Sequence, residues 1–106
     1  MTLFVIIMTH SADECPTANS RVRKLLSNES QEVTKLGAKV GVTFLIGPLM
    51  GATNHQSYAV VEAPNIETVT DLMFRSGLIQ WNKVDVVHAL TVDEAEKHMK
   101  DLQPIL

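Results

Sequence analysis

The sequence contains little cysteine, few aromatic residues and no long basic run. Cys15 is the one cysteine among 106 residues, so no disulfide can form within the chain, which fits a reducing, cytoplasmic location. Lysine and arginine number 9 against 12 acidic residues, giving a net charge of −3. This balance argues against nucleic acid and anionic membrane surfaces as partners. The basic cluster Arg21, Arg23 and Lys24 lies on a predicted helix and is interpreted as a solvated face.

Membrane-spanning and targeting signals are also missing from the sequence. The apolar stretch LFVIIM at residues 3–8 is far shorter than the about 20 residues that a membrane span requires. It has no basic segment before it and no small-residue cleavage site after it, so a signal peptide is not expected. We predict that this stretch forms the first strand.

What the sequence does contain is strands that are apolar on both faces. Neither residues 3–8 nor residues 42–46 alternate between apolar and polar side chains. A sheet built from such strands must be buried on two sides. Three helical patterns in a chain of this length can cover one side, so the other side is predicted to meet a second copy of the protein.

The predicted elements follow one another in the order β-α-β-β-α-β-α. Strands are predicted at residues 2–10, 40–46, 58–62 (beginning nearer 55) and 83–90, with a loop from Gly47 to Gly51. Helices are predicted from Pro16 to a C-terminal Gly37, from an Asn65 N-cap to Gly77, and from a Thr91–Glu94 capping box to Pro104. The last helix is expected to turn these residues inward: Val92, Ala95, Met99 and Leu102. No repeat or linker is visible, so residues 1–106 are predicted to form a single domain.

This order predicts an α+β, ferredoxin-like fold. With right-handed crossovers, two interleaved βαβ units give a βαββαβ antiparallel four-stranded sheet in the order 4-1-3-2, followed by a C-terminal helix. Both long helices then lie on one face of the sheet. The other face stays bare and apolar, and pairing of two sheets in a two-fold homodimer would cover it.

Three stretches of the sequence are similar to those of a known superfamily. The phrases AVVEAPNIETVTDLM and WNKVDVVHALTVDEA, with the element order, resemble the dimeric α+β barrel (ferredoxin-like) superfamily, and the opening MTHSADECP resembles an MTHSxxxCP-type N-terminal signature of small members without an assigned role. The resemblance implies two ferredoxin-like sheets paired into a barrel. Members include cofactor-independent monooxygenases, lactone isomerases, haem-degrading enzymes and proteins of no known activity, so the fold alone does not select a function.

Two histidines and the cysteine are the main candidates for a functional site. His10 ends the first strand, and the third strand runs antiparallel beside it, which brings its start near His55 close to His10. Cys15 follows in a loop at the same end of the sheet. Two imidazoles and a thiolate suit a transition metal such as zinc, copper or iron. A cysteine before a helix beginning at Pro16 would also have its pKa lowered by the helix N-terminus.

His88 is the second kind of candidate. It shares a strand face with Val84 and Val86, and if that face looks toward the helices it projects into the interior, where it could act as an acid or base. The alternative is that His10 and His55 are polar strand ends and that Cys15 is a small residue at the start of a helix. For His88 the alternative is a satisfied core histidine.

Three functions remain open from the sequence, which has no phosphate-binding loop, nucleophile elbow, HExxH helix or paired-cysteine zinc spacing. The first is a homodimer with a small-molecule or metal site built from His10, Cys15 and His55. The second is a cofactor-independent monooxygenase or isomerase that uses an apolar pocket with His88. Further candidates for lining a ligand cavity are Tyr58, Phe74, Trp81 and the five methionines, of which Met8, Met50 and Met73 could form an adaptable apolar pocket, the alternative being that they are plain core. The third is a non-catalytic interaction module.

Overall fold

The computed structural model describes the backbone of residues 1–106 and the side chains of all of them except residues 29–31. The four strands are β1 (Thr2–Thr9), β2 (Thr43–Met50), β3 (Gln56–Ala63) and β4 (Lys83–Ala89). The three α-helices are α1 (Ser20–Val40), α2 (Ile66–Arg75) and α3 (Val92–Met99), and short 3-10 turns lie at Ala12–Glu14 and Leu78–Gln80. No helix in the described part of the chain is both long and apolar enough to cross a membrane.

The strands form one antiparallel sheet in the order β2-β3-β1-β4. This is the predicted order 4-1-3-2 read from the other edge, and the fold is α+β and ferredoxin-like, as the sequence predicts. β1 lies in the centre, with Val5 opposite Val60 of β3 on one side and opposite Val87 of β4 on the other. The C-terminal end of β1 and the N-terminal end of β3 therefore lie side by side at one end of the sheet.

The hydrophobic core lies between the helices and one face of the sheet. Alternate residues of β1 are buried there, with Ile6 fully buried. The other members of the core include Phe4, Met8, Val22, Val33, Val61, Val69, Leu72 and Met73. Burial of such side chains is the main stabilising term, at about 1.5–3 kcal/mol for each large apolar side chain.

The opposite face of the sheet carries apolar side chains that are only partly buried. The register places these residues on it: Leu3, Val5, Ile7, Ile46, Leu49, Tyr58, Val60, Val87 and Ala89. Ile46 and Leu49 are 54% and 53% exposed. We call this set of nine residues the open face, and its apolar character agrees with the sequence-based prediction of a bare second side.

α1 begins and ends later than predicted. Pro16 lies in the preceding loop, and Asn19 is the N-cap, whose side-chain oxygen accepts a hydrogen bond from the Val22 N–H at 3.1 Å. Gly41, with φ of 98°, ends the helix. Gly37 lies inside the helix and is buried. Because it has no side chain, the helix can approach Val42 and Phe44 closely, and Gly37 does not form a left-handed turn.

β2 includes a segment that the sequence predicts to be a loop. The strand begins at Thr43 and continues through Gly47, which has φ of 88°, and through a cis peptide to Pro48. It persists because residues beyond the proline still pair with β3, for example Met50 with Ser57. Register shifts on either side of Ile46 accommodate the irregular backbone.

α3 has the predicted start, but its apolar side is not inward. Thr91 is the N-cap and forms a full capping box with Glu94. Val92 and Met99 are 74% and 55% exposed, and Leu102, beyond the helix, is 66% exposed, so the prediction that they pack inside the subunit is wrong. The reason is topological: α3 follows an edge strand and extends away from the layer that α1 and α2 form.

Candidate metal centre

His10 is held at the end of β1 by backbone pairing. Its N–H donates a hydrogen bond to the His55 carbonyl oxygen at 3.0 Å, which extends the β1–β3 ladder by one step. The side chain follows the alternation of Ile6 and Met8 and turns toward the helix side, where it is only 6% exposed. Among the described side chains, neither of its ring nitrogens has a hydrogen-bond partner.

His55 lies in the connection between β2 and β3 and has a positive φ of 54°. Histidine is one of the residue types found more often in this left-handed region. Its exposed imidazole stands edge-on to that of His10, with ring centroids 5.3 Å apart and an interplanar angle of 80°. This backbone conformation therefore places the imidazole of His55 beside that of His10, on its solvent-exposed side.

Cys15 is fixed by the turn that follows β1. Its N–H donates to the Ala12 carbonyl oxygen at 3.3 Å, and its own carbonyl accepts hydrogen bonds at 2.9 Å from the N–H groups of Ala18 and Asn19. The loop is also held from α1, because the Arg23 guanidinium donates to the carbonyl oxygens of Pro16 at 2.8 Å and of Thr17 at 3.0 Å. Arg23 therefore stabilises this loop, whereas the sequence predicts only that it lies on a solvated face of the helix.

The three side chains converge as predicted. One ligand atom from each of His10, Cys15 and His55 lies within 4.8 Å of the others. A tetrahedral ion with bonds of about 2.0–2.3 Å separates its ligand atoms by about 3.3–3.8 Å. The ligand atoms are therefore within about 1.5 Å of the separation that a tetrahedral ion needs.

The protonation of the two buried ligands suits metal binding. Burial lowers the pKa of His10, the nearby His55 lowers it further, and Glu14 partly opposes this shift. Hydrogen bonds from the Thr17 hydroxyl and the Thr17 backbone lower the pKa of Cys15, against the opposing effect of burial. Both directions favour the forms that bind a metal, neutral imidazole and thiolate.

The predicted cause of the Cys15 shift is wrong. The sequence places a helix N-terminus next to this thiol, whereas α1 begins at Ser20 and a 3-10 turn precedes the cysteine. The hydroxyl oxygen of Thr17, 2.9 Å from Sγ, takes the place of the helix end.

A small pocket of about 130 Å³ opens at the cluster. It is lined by His10, Cys15, Thr17, Met50, Gly51, Ala52, Thr53 and His55. Its rim residues Ala52, Thr53 and His55 are exposed, so the pocket is open to solvent.

His88 is not part of this cluster and is not interior. It does lie on the helix-facing side of the sheet, opposite Phe4, with ring centroids 5.7 Å apart. It is nevertheless exposed, because β4 is an edge strand. The prediction that His88 projects into the interior is therefore wrong, while its proposed role as an acid or base stays a prediction.

A second, apolar cavity of about 40 Å³ lies between the sheet and α1. Met8 and Met50 line it, as the sequence suggested for an adaptable pocket, whereas Met73 is buried in the core. Drug-sized ligands occupy pockets of about 300–1,000 Å³. This cavity has room only for a very small molecule.

Sequence patterns do not place all the residues around the site. Thr17 carries no recognisable signal, because the direction of its loop depends on the backbone path. Met50 and Trp81 are predicted only as candidates for lining a ligand cavity. Trp81, the single tryptophan, is buried with its ring 5.7 Å from that of His10, because the start of β4 lies beside the end of β1.

Comparisons with known proteins give little beyond this geometry. No protein-family model matches the chain, and no curated protein does. One matching solved structure is the crystal structure of a dimeric ferredoxin-like protein from an uncultured marine organism. It is 13% identical, and the match covers 87% of this chain and 95% of that one with a TM-score of 0.48. The function must therefore be inferred from the residues of this chain.

Proposed function

We propose that this protein binds a transition-metal ion through His10, Cys15 and His55. One observation carries the proposal: a buried imidazole without hydrogen-bond partners stands beside a thiol of lowered pKa and a second imidazole. Leaving a buried polar group unsatisfied costs about 1–3 kcal/mol. An ion bonded to a ring nitrogen of His10 removes that cost, so the site is matched to such a ligand.

The ligand set indicates a borderline-soft metal such as zinc, copper or iron. Three protein ligands leave a position open, as in catalytic rather than structural zinc sites. A fourth ligand to the ion would come from the adjoining pocket, whether as a protein side chain of its lining or as a small molecule. The alternative enzyme based on His88 has less support, because this histidine is exposed on the edge strand β4.

The test is metal analysis of the purified protein together with calorimetric titration with Zn²⁺. We expect one ion per chain. Replacing a direct ligand, as in His10→Ala, Cys15→Ser or His55→Ala, is expected to lower affinity by more than about a hundredfold, since loss of supporting groups alone costs about 10–100-fold. His98→Ala changes an exposed histidine of α3 and is the matched control.

Two results would overturn the proposal. One is wild-type protein that neither carries a metal nor binds added Zn²⁺. The other is a set of ligand variants that bind Zn²⁺ as well as the His98→Ala control does.

We also infer that the protein forms a homodimer through the open face. Nine apolar residues lie next to one another across all four strands on one side of the sheet, with Glu62 and Asp85 among them, and contiguous exposed apolar surface of this kind marks interaction sites. A two-fold axis places the same patch on both copies, which makes the surface self-complementary. The metal cluster lies at the sheet end on the helix side, so it remains accessible in such a dimer.

A further inference from the structure

Met50 lies next to the cluster of His10, Cys15 and His55 but is not one of these three proposed ligands. It is the last residue of β2 and pairs with Ser57, which in turn pairs with Met8 across β3. Met8 and His10 are two residues apart on the helix-facing side of β1. The cross-strand row that ends in Met50 is therefore one same-face step, about 7 Å along the strand, from His10.

The side chain of Met50 lines the cluster pocket together with the three proposed ligands. The other side chains of that lining are Thr17, Ala52 and Thr53. The Thr17 hydroxyl is engaged with Cys15, and alanine has no donor atom. Met50 thus supplies the one additional sulfur atom among the described residues of the pocket.

A thioether discriminates between metals. Zinc in proteins is bound by thiolate, imidazole and carboxylate, whereas thioether sulfur selects copper. Two imidazoles, one thiolate and a weakly bound methionine form the ligand set typical of electron-transfer copper sites. The residues around this pocket match that set.

We propose that Met50 is a fourth, weak ligand and that copper is the ion bound at this site. This inference rests on the proposed function, because it requires His10, Cys15 and His55 to be ligands. It specifies copper as the metal and adds Met50 to the three ligands of the proposed function.

The test compares Met50→Leu with Met8→Leu. Both changes remove a thioether and keep a similar volume, and Met8 lies in the same cross-strand row but outside the lining of the cluster pocket. Copper(I) affinity is measured anaerobically by competition with a chromophoric chelator. X-ray absorption of the copper-loaded protein counts the sulfur atoms bound to the ion.

We expect two sulfur neighbours per copper in the wild type and in Met8→Leu, and one in Met50→Leu. Copper(I) affinity should fall about ten- to hundredfold in Met50→Leu only, while Zn²⁺ affinity stays unchanged in both variants. One sulfur per copper in the wild type, or unchanged copper affinity in Met50→Leu, overturns this inference. If Zn²⁺ binding is intact, the proposed function survives that result; if no metal binds at all, both fail.

Discussion

At the scale of single residues, the chemistry of Cys15 depends on its neighbour Thr17. A free thiol loses its proton near pH 8.5, and hydrogen bonds to the sulfur favour the thiolate. The Thr17 hydroxyl lies 2.9 Å from Sγ and is the main cause of the lowered pKa. The loop therefore prepares the cysteine for a metal or an electrophile before either arrives.

Thr17→Val is expected to raise the pKa of Cys15. Valine keeps the shape of threonine but cannot donate to the sulfur, so the thiolate loses its largest stabilising contact. The pH dependence of the alkylation rate by iodoacetamide measures the shift. Thr53→Val, in the same pocket, is the control and should leave the profile unchanged. Identical profiles for the two variants would contradict the assignment.

The convergence of the three proposed ligands could be predicted from the sequence because it depends only on strand order. Antiparallel pairing of β1 with β3 necessarily brings His10 near His55, and a short loop keeps Cys15 at the same end. The contacts of Thr17 and Met50 could not be predicted. They depend on the 3-10 turn after β1 and on how far β2 continues, and neither leaves a periodic pattern.

At the scale of secondary-structure elements, tertiary contacts such as strand pairing determine where an element ends more than glycine and proline residues in the sequence do. Gly47 and Pro48 predict a loop, yet cross-strand pairing with β3 carries β2 on to Met50. Gly37 similarly suggested the end of α1. The elements themselves were predictable from apolar periodicity, whereas their ends were set by tertiary contacts.

Gly37→Ala is expected to destabilise the protein although alanine favours helices by about 1 kcal/mol over glycine. A Cβ there would lie 2.9 Å from the Val42 carbonyl oxygen and 3.1 Å from the Phe44 ring. Overpacking of this kind costs about 1–3 kcal/mol and should outweigh the gain, giving a lower free energy of unfolding in urea. Thr34→Ala, at an exposed position of the same helix, should not lower it. A Gly37→Ala protein as stable as the wild type would show that the helix can move away from β2.

The capping box of α3 should respond to acid. Hydrogen bonds from the Thr91 backbone and hydroxyl lower the pKa of Glu94 below its ordinary value of 4.5. Because the pKa is lowered in the folded state, the stabilising contact is complete above pH 4.5 and is lost as the pH falls through the folded-state pKa. NMR titration of the Glu94 carboxyl carbon should give a midpoint below 4.5.

Thr91→Ala should move that midpoint upward, and Thr91→Ser, which keeps the hydroxyl, should leave it nearly unchanged. Equal midpoints for the alanine and serine variants would mean that the Thr91 hydroxyl does not lower the pKa of Glu94.

At the scale of the whole molecule, the two sides of the sheet differ in cover. Helices α1 and α2 pack on one side, while the open face carries apolar residues such as Val5 and Val60. α3 adds no buried residue to the subunit. The principal extents of 53 × 34 × 18 Å describe an elongated, flat molecule. Such a shape buries less apolar surface than a compact one, which is consistent with self-association.

Val5→Lys should prevent dimer formation. Val5 lies at the centre of the open face, between Val60 and Val87, so a lysine there would place a strongly hydrated charge between two apolar sheets. Glu62 and Asp85 lie diagonally across the same face and would offset only part of that cost. Sedimentation at several concentrations should give a dimer for the wild type and a monomer for the variant. Thr70→Lys places the same charge on an exposed position of α2 and should remain dimeric. A wild-type protein that stays monomeric at high concentration would contradict the dimer itself.

The cluster joins parts of the chain that are distant in sequence: the end of β1, the loop after it and the β2–β3 connection. An ion bonded to all three would be a reversible cross-link that closes a loop of some forty residues, between Cys15 and His55. Ligation and folding are then thermodynamically linked, so the unfolding equilibrium follows the concentration of free ion. Metal supply in the cell would in that way regulate the lifetime of the polypeptide as well as its reactivity.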